Sequence, residues 1–189
     1  MNNPAQIKRF IFTGTPGSGK TSCLKELEKL DHAVIHEAAT DVIEQEQAKG
    51  IEKPWEEPDF VDEITHMQKE RQMDATGDLQ FYDRAQLCTY ALGKYLAHWK
   101  NTEFTPSPVL LGEIDRCLKD RIYQNKVFFF ENLGFIEHND ARKISYEDAL
   151  IFEQIHLDIY KEFAFEIIMV PKELTVTQKC EFILEGSKR

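Results

Sequence analysis

The chain's 189 residues suffice for one domain with a substantial core, and 42% hydrophobic with 30% charged residues is the balance of a soluble globular protein. A formal net charge of −10 speaks against a general nucleic-acid or anionic-membrane surface, since both need broad positive potential, but allows a nucleotide in one locally positive pocket. Four scattered cysteines (Cys23, Cys88, Cys117 and Cys180) lack the spacing of a disulfide scaffold; they read as reduced thiols of a cytoplasmic protein, three of them packed on helices.

The opening MNNPAQIKRF has no long apolar region, so no signal peptide is expected, and no stretch approaches the ~20 apolar residues that cross a bilayer. The six histidines form no metal-ligand spacing. KRFIFTG reads as a first strand. It runs into Gly14-Thr15-Pro16-Gly17-Ser18-Gly19-Lys20-Thr21, which satisfies G-x-x-x-x-G-K-[ST] in full, after an apolar strand and before the helix through TSCLKELEKL. Glycines let the backbone take positive φ and approach an anion closely. Successive N–H groups and the helix N-terminus then hold phosphate, Lys20 reaches the β- and γ-phosphates, and the Thr21 hydroxyl can ligate Mg²⁺.

HAVIHEA reads as the second strand, with Glu37 at its end; His36 is read as structural. Residues 41–49 and 59–73 look helical, split by GIEKPWEEPD, and Phe60, Ile64 and Met67 mark one apolar face. LQFYDR is the third strand, ending in Asp83 and Arg84. A helix over 85–99 carries Cys88, Ala91, Leu92, Tyr95 and Trp99 on a stripe. Another over 107–124 carries Arg116 and Arg121, which could face phosphate but are read rather as a solvated helix face. KVFFFENL is the fourth strand, its continuous apolar run suited to burial on both faces. EHNDARKIS forms a loop in which Arg142 could neutralise a γ-phosphate as a lid. Ser145 and Asp148 cap a helix through about Phe163. FAFEIIMV is the fifth strand, ended by Pro171. A second capping box at Thr175 and Gln178 opens a last helix, with Gly186 as its stop. Strands alternating with helices predict a parallel sheet covered on both faces, within a single domain spanning 1–189.

In an open parallel sheet, ligands bind outside the carboxyl ends of the strands. Glu37 and Asp83 both emerge there. One would hold Mg²⁺ with Thr21 and the other take a proton from an attacking hydroxyl; the sequence does not assign which. Arg84 offers a fork to a phosphate.

The order of phosphate loop, Glu-Ala-Ala after strand two, HMQKERQ, FYDRAQLCTYAL, an aromatic fourth strand, a short Arg-bearing loop, ALIFEQIHLDIYKEF and a strand ending in VP resembles a family. It is the small P-loop family labelled an AAA-type ATPase domain, which includes the nicotinamide riboside kinase part of a bacterial NAD regulator. It is also similar to nucleoside and nucleoside-monophosphate kinases, and none of the sensor regions of ring-forming motors is present. The resemblance implies a five-stranded parallel sheet of kinase-like order, an acceptor-binding helical region near 38–75 and a lid near 137–146. By matching position, Gly14 to Thr21 hold phosphates, Glu37 or Asp83 serves as base or metal partner, Arg84 binds substrate and Arg142 sits in the lid. Where family lids often read Asp-Gly-x-Arg, this chain has Asn139-Asp140-Ala141-Arg142.

The expected activity is transfer of the γ-phosphoryl group of ATP or GTP to a small hydroxyl acceptor such as a nucleoside. The rival is a nucleotide-driven switch or slow NTPase acting on a protein or lipid partner. Two carboxylates at strand ends and an acidic surface favour a small acceptor over a polymer. No guanine-reading N-K-x-D is present, so ATP is favoured by default.

Overall fold

The computed structural model describes residues 7–133 and 145–188. Five strands, β1 (Lys8–Gly14), β2 (Ala33–Ile35), β3 (Leu79–Asp83), β4 (Lys126–Phe130) and β5 (Glu166–Val170), form one sheet in the order β2-β3-β1-β4-β5. Every pairing is parallel. β1 is central: the chain builds one flank, returns across it and builds the other, so the carboxyl ends of β1 and its neighbours open onto one crevice.

Alternation along the strands assigns their faces. Phe10, Phe12, Phe81, Phe128 and Phe130 point to one side, where α1 (Lys20–Lys29) and α7 (Val176–Lys188) cover them with Cys23, Leu24, Leu27, Cys180 and Ile183. The rings interlock, with Phe12 5.1 Å from Phe130 and 5.5 Å from Phe81 between centroids. Ile11, Tyr82 and Val127 point the other way, beneath α4 (Gln86–Trp99), α5 (Pro108–Lys119) and α6 (Tyr146–Glu162). A smaller cluster joins α2 (Ala38–Ala48) to α3 (Phe60–Asp74) through Ala38, Val42, Phe60 and Ile64, packed on Leu92 and Leu96 of α4. A short 3₁₀ turn, Pro54–Glu56, lies between α2 and α3. No helix among the described residues is long and apolar enough to cross a membrane.

Both expected capping boxes form. Ser145 Oγ accepts from the Asp148 N–H at 3.0 Å, and the Thr175 and Gln178 side chains each accept from the other's backbone N–H. Other expectations are corrected. The second strand shrinks to Ala33–Ile35, because it is an edge strand with one neighbour and only half-buried side chains. The helix expected over 107–124 stops at Lys119, where the chain turns through a positive φ at Arg121. Gly186 stops nothing: α7 continues to Lys188, and a Cβ at the glycine would sit 3.0 Å from the Phe128 ring. Trp99, at the very end of α4, is exposed. Arg116 is not a solvated face residue; it forks onto buried Glu113 and donates to Gln72 on α3 at 2.7 Å. All four cysteines are free, buried and on helices, and Cys23 meets Cys180 between α1 and α7 at 3.2 Å.

Candidate active site

β1 delivers the chain into the glycine loop at the sheet's carboxyl edge. Gly14 has φ 128°, and a Cβ there would collide with the backbone of Phe130 on the adjoining strand. Gly17 and Gly19 also take positive φ, at 82° and 92°. Gly19 is the N-cap of α1 and supplies no side chain, so the first-turn N–H groups are left for an anion. Ser18 Oγ donates to the Thr15 carbonyl at 2.9 Å and tightens the turn. The Lys20 ammonium lies inside it, donating to the Thr15 carbonyl at 2.8 Å and to Ser18 Oγ at 3.2 Å. Burial, then the nearby Arg84 charge, brings Lys20 down to about 8, with Asp83 and Glu37 opposing. Thr21 is exposed at the start of α1.

Parallel pairing sets Asp83 level with Phe12, beside the loop. Its carboxylate is buried, and Oδ1 has no hydrogen-bond partner among the described residues. Burial pushes Asp83 up, opposed by Lys20 and Arg84 and reinforced by Glu37. Arg84 follows at φ 71°, a left-handed conformation held by its N–H donating to the Phe12 carbonyl at 3.0 Å. That turn swings its guanidinium across the site. Nε donates to Glu37 Oε1 at 2.7 Å, Nη2 to the Gly14 carbonyl at 3.2 Å and Nη1 to His156 Nε2 at 3.4 Å, above the Phe152 ring. His156 Nδ1 donates to the Phe152 carbonyl at 2.8 Å, which leaves Nε2 as the acceptor. Burial, then Arg84, holds this histidine well below its ordinary value, in the neutral form.

Glu37 is the N-cap residue of α2. Arg71 of α3 anchors this corner by donating to the carbonyls of His36 and Glu37 at 2.9 and 2.8 Å and pairing with Asp41. Glu37 Oε1 takes Arg84, while Oε2 accepts from Thr40 at 3.3 Å. His36 points away and pairs with Glu28.

Lys20, Glu37, Asp83 and Arg84 thus converge, together with Thr21, at one end of a cavity of about 510 Å³. Its walls are apolar, from Ile43, Trp55, Phe60, Ile64, Leu92 and Phe152. One polar pair interrupts them: Gln68 Oε1 accepts from Thr89 Oγ1 at 2.9 Å, and the Gln68 amide nitrogen has no partner among the described residues. Arg142, and the loop over 137–146 except its last two residues, lie outside the described residues.

Gln68, Thr89, Phe152 and His156 were not singled out from sequence. The available signal was polar side chains at core spacing on α3, where Thr65, Gln68 and Gln72 are all buried beside Ile64. His156 carried no such signal, because its partner is 72 positions away.

Among the described residues no group of three or more His, Cys, Asp or Glu is gathered to hold a metal. A Mg²⁺ ion here would depend on phosphate and water oxygens for most of its shell. The unpartnered Asp83 Oδ1 and the exposed Thr21 hydroxyl fit that ion as hard oxygen donors.

A family model described as an AAA domain matches residues 9–178. No curated protein matches the sequence significantly. Among solved structures, deoxyadenosine kinase from M. mycoides with bound dCTP aligns at TM-score 0.63 and 17% identity, covering 96% of this chain and 99% of that one. The same enzyme with bound dATP aligns at TM-score 0.62 and 16% identity over 96% and 100%. NadR protein in complex with NR aligns at TM-score 0.65 and 13% identity, over 97% of this chain and 51% of that one. At such identities the likeness establishes the fold, a nucleoside-kinase-like P-loop sandwich.

Proposed function

The chain belongs to the AAA domain family, and from that premise we propose that it is a Mg²⁺-dependent kinase transferring the γ-phosphoryl group of ATP or GTP to a hydroxyl of a nucleoside-like acceptor. The observation that carries this reading is the single cavity that joins the phosphate loop to an apolar-walled chamber with one polar pair in it. A hydrolase needs room only for water. An apolar chamber with a lone amide donor suits a flat, weakly polar body such as a nucleobase. Neighbours of the same fold named as a deoxyadenosine kinase and as an NR-bound protein support that class of acceptor.

The roles follow from position. The loop amides and Lys20 hold the β- and γ-phosphates. Thr21 and Asp83 would hold Mg²⁺, which when bound draws charge from the phosphate oxygens. Glu37 is less buried than Asp83, lines the same cavity, and takes the acceptor hydroxyl's proton. Arg84 steadies that carboxylate and ties it to the Gly14 carbonyl. His156 and Phe152 fix Arg84 in turn. Gln68 orients the base and the aromatic walls exclude water. The segment 38–75 is the acceptor-binding part, and Arg142 is assigned to a lid over the transferred group.

Turnover tests this. With Mg-ATP or Mg-GTP and a panel of nucleosides, one acceptor is expected to raise nucleotide consumption far above hydrolysis and to yield a phosphorylated product; Lys20→Ala should abolish it. No product from a broad panel, with nucleotide altering protease sensitivity across 38–75, would replace the kinase with a switch acting on a protein or lipid partner.

A further inference from the structure

The motif places one lysine in the loop, and the fold brings a second beside it. Lys179 lies on α7, one turn from its N-terminus, and is 6% exposed. Its ammonium rests against the glycine loop: a Cβ placed on Gly19 would be 3.7 Å from Nζ. Among the described residues its side chain makes no hydrogen bond or ion pair; the Phe130 ring centroid lies 6.0 Å from Nζ, and the ammonium's charge acts on the Cys23 thiol. No carboxylate pairs with it there.

The surroundings make this a costly place for an unpaired cation. Gly19 begins α1, whose N-terminal end carries partial positive charge. The first turn of α7 carries the same sign. A buried ammonium between two positive helix ends, with an aromatic ring and a thiol beside it, has no counter-charge among the described residues. The loop it touches is built for an anion.

We infer that Lys179 is a second cation of the phosphate site, binding the α-phosphate end of a nucleoside triphosphate. The inference rests on the triphosphate-binding reading of the loop. The α end follows from the two flanks of β1. Lys20 and the carboxylates stand toward β3 and the acceptor chamber, where the γ-phosphate must point. Lys179 approaches over Phe130 of β4, from the opposite flank. The contact is to phosphate, so it does not discriminate between bases.

Calorimetric titration of the whole chain with Mg-ATP, Mg-GTP and Mg-ADP tests this with wild type, Lys179→Met and Lys179→Arg. Lys179→Met is expected to weaken all three by the same factor, about 10- to 100-fold, as for loss of a charge-assisted hydrogen bond. Lys179→Arg should recover most of the loss. Without nucleotide, Lys179→Met should melt no lower than wild type, because the change removes an unpaired buried charge and keeps the stem. Unchanged affinities, a loss confined to one base, or a loss for ATP and GTP but not ADP would overturn the assignment. So would a lowered melting temperature with affinity falling only in step with it. If wild type binds none of the three, the reading of the loop fails first and this inference falls with it.

Discussion

Lys20 donates to the carbonyls of its own loop and is held near 8 by burial. Between about 8 and the ordinary 10.5 the native chain binds fewer protons at this site than the unfolded chain, so Lys20 contributes stability that rises with pH across that window. Below about 8 the buried ammonium is a full penalty, roughly 3 kcal/mol at most. Lys20→Met should therefore unfold at higher urea concentration than wild type at pH 7, with the gap closing by pH 10, while triphosphate affinity in wild type falls above pH 8. A gap independent of pH would refute the assignment. The two carboxylates separate by a second comparison. Asp83→Asn removes a buried, partly unpartnered charge, so it should leave the fold as stable or more so and cut kcat by orders of magnitude. Glu37→Gln should lower kcat by about 100- to 1,000-fold with Mg-nucleotide affinity kept. It should also cost about 1–2 kcal/mol in urea unfolding, since it strips the counter-charge from nearly buried Arg84. Loss of nucleotide affinity in Glu37→Gln but not in Asp83→Asn would exchange the roles.

Among the elements, glycines of the same type do different work. Gly14→Ala forces a Cβ into the Phe130 backbone at a φ that side chains avoid, and should cost more than about 3 kcal/mol or prevent folding. Gly186→Ala meets only the edge of the Phe128 ring, and the better helix propensity offsets part of the clash, so a net loss of about 1 kcal/mol is expected by denaturant titration. Equal losses at the two positions would mean the strand contact at Gly14 is not rigid. This pair also marks what a sequence can disclose. FIFTG and KVFFF announce buried strands because a parallel sheet asks for apolar residues on both faces, and the phosphate loop and capping boxes are local in chain and in space. Gly186 could be a helix stop or a close approach, and only Phe128, 58 positions away, decides between them. The turn at Arg121 has no glycine or proline to announce it, while apolar Ile122 and Tyr123 prolong the helical rhythm past the break. Glu37, Asp83 and Arg84 could be placed at strand ends by counting. Their mutual bonds, and the parts taken by His156 and Gln68, depend on contacts that no window of sequence contains.

For the molecule as a whole, the two large clusters on the sheet faces anchor β1, β3, β4 and β5, whereas α2 and α3 are joined to each other by four fully buried apolar residues and the partly exposed Arg71 bonds. The chamber therefore has a firm floor and a looser roof. Backbone amides over 38–74 should exchange hydrogen fastest among the helical parts in the absence of ligand. They should slow about tenfold or more when Mg-nucleotide and acceptor are both present, because the ligand bridges roof and floor. Mass spectrometry of exchange reads this directly, and protection confined to residues 14–30 would mean that the roof takes no part in binding.

α2, the 3₁₀ turn and α3 form one uninterrupted excursion from a three-residue edge strand to its neighbour. The groups assigned to the phosphates all lie outside that excursion. On the proposed roles, most of the chamber's apolar walls can thus be recast by rewriting a single contiguous stretch of the gene, provided that Glu37 and the Arg71 that anchors it are kept.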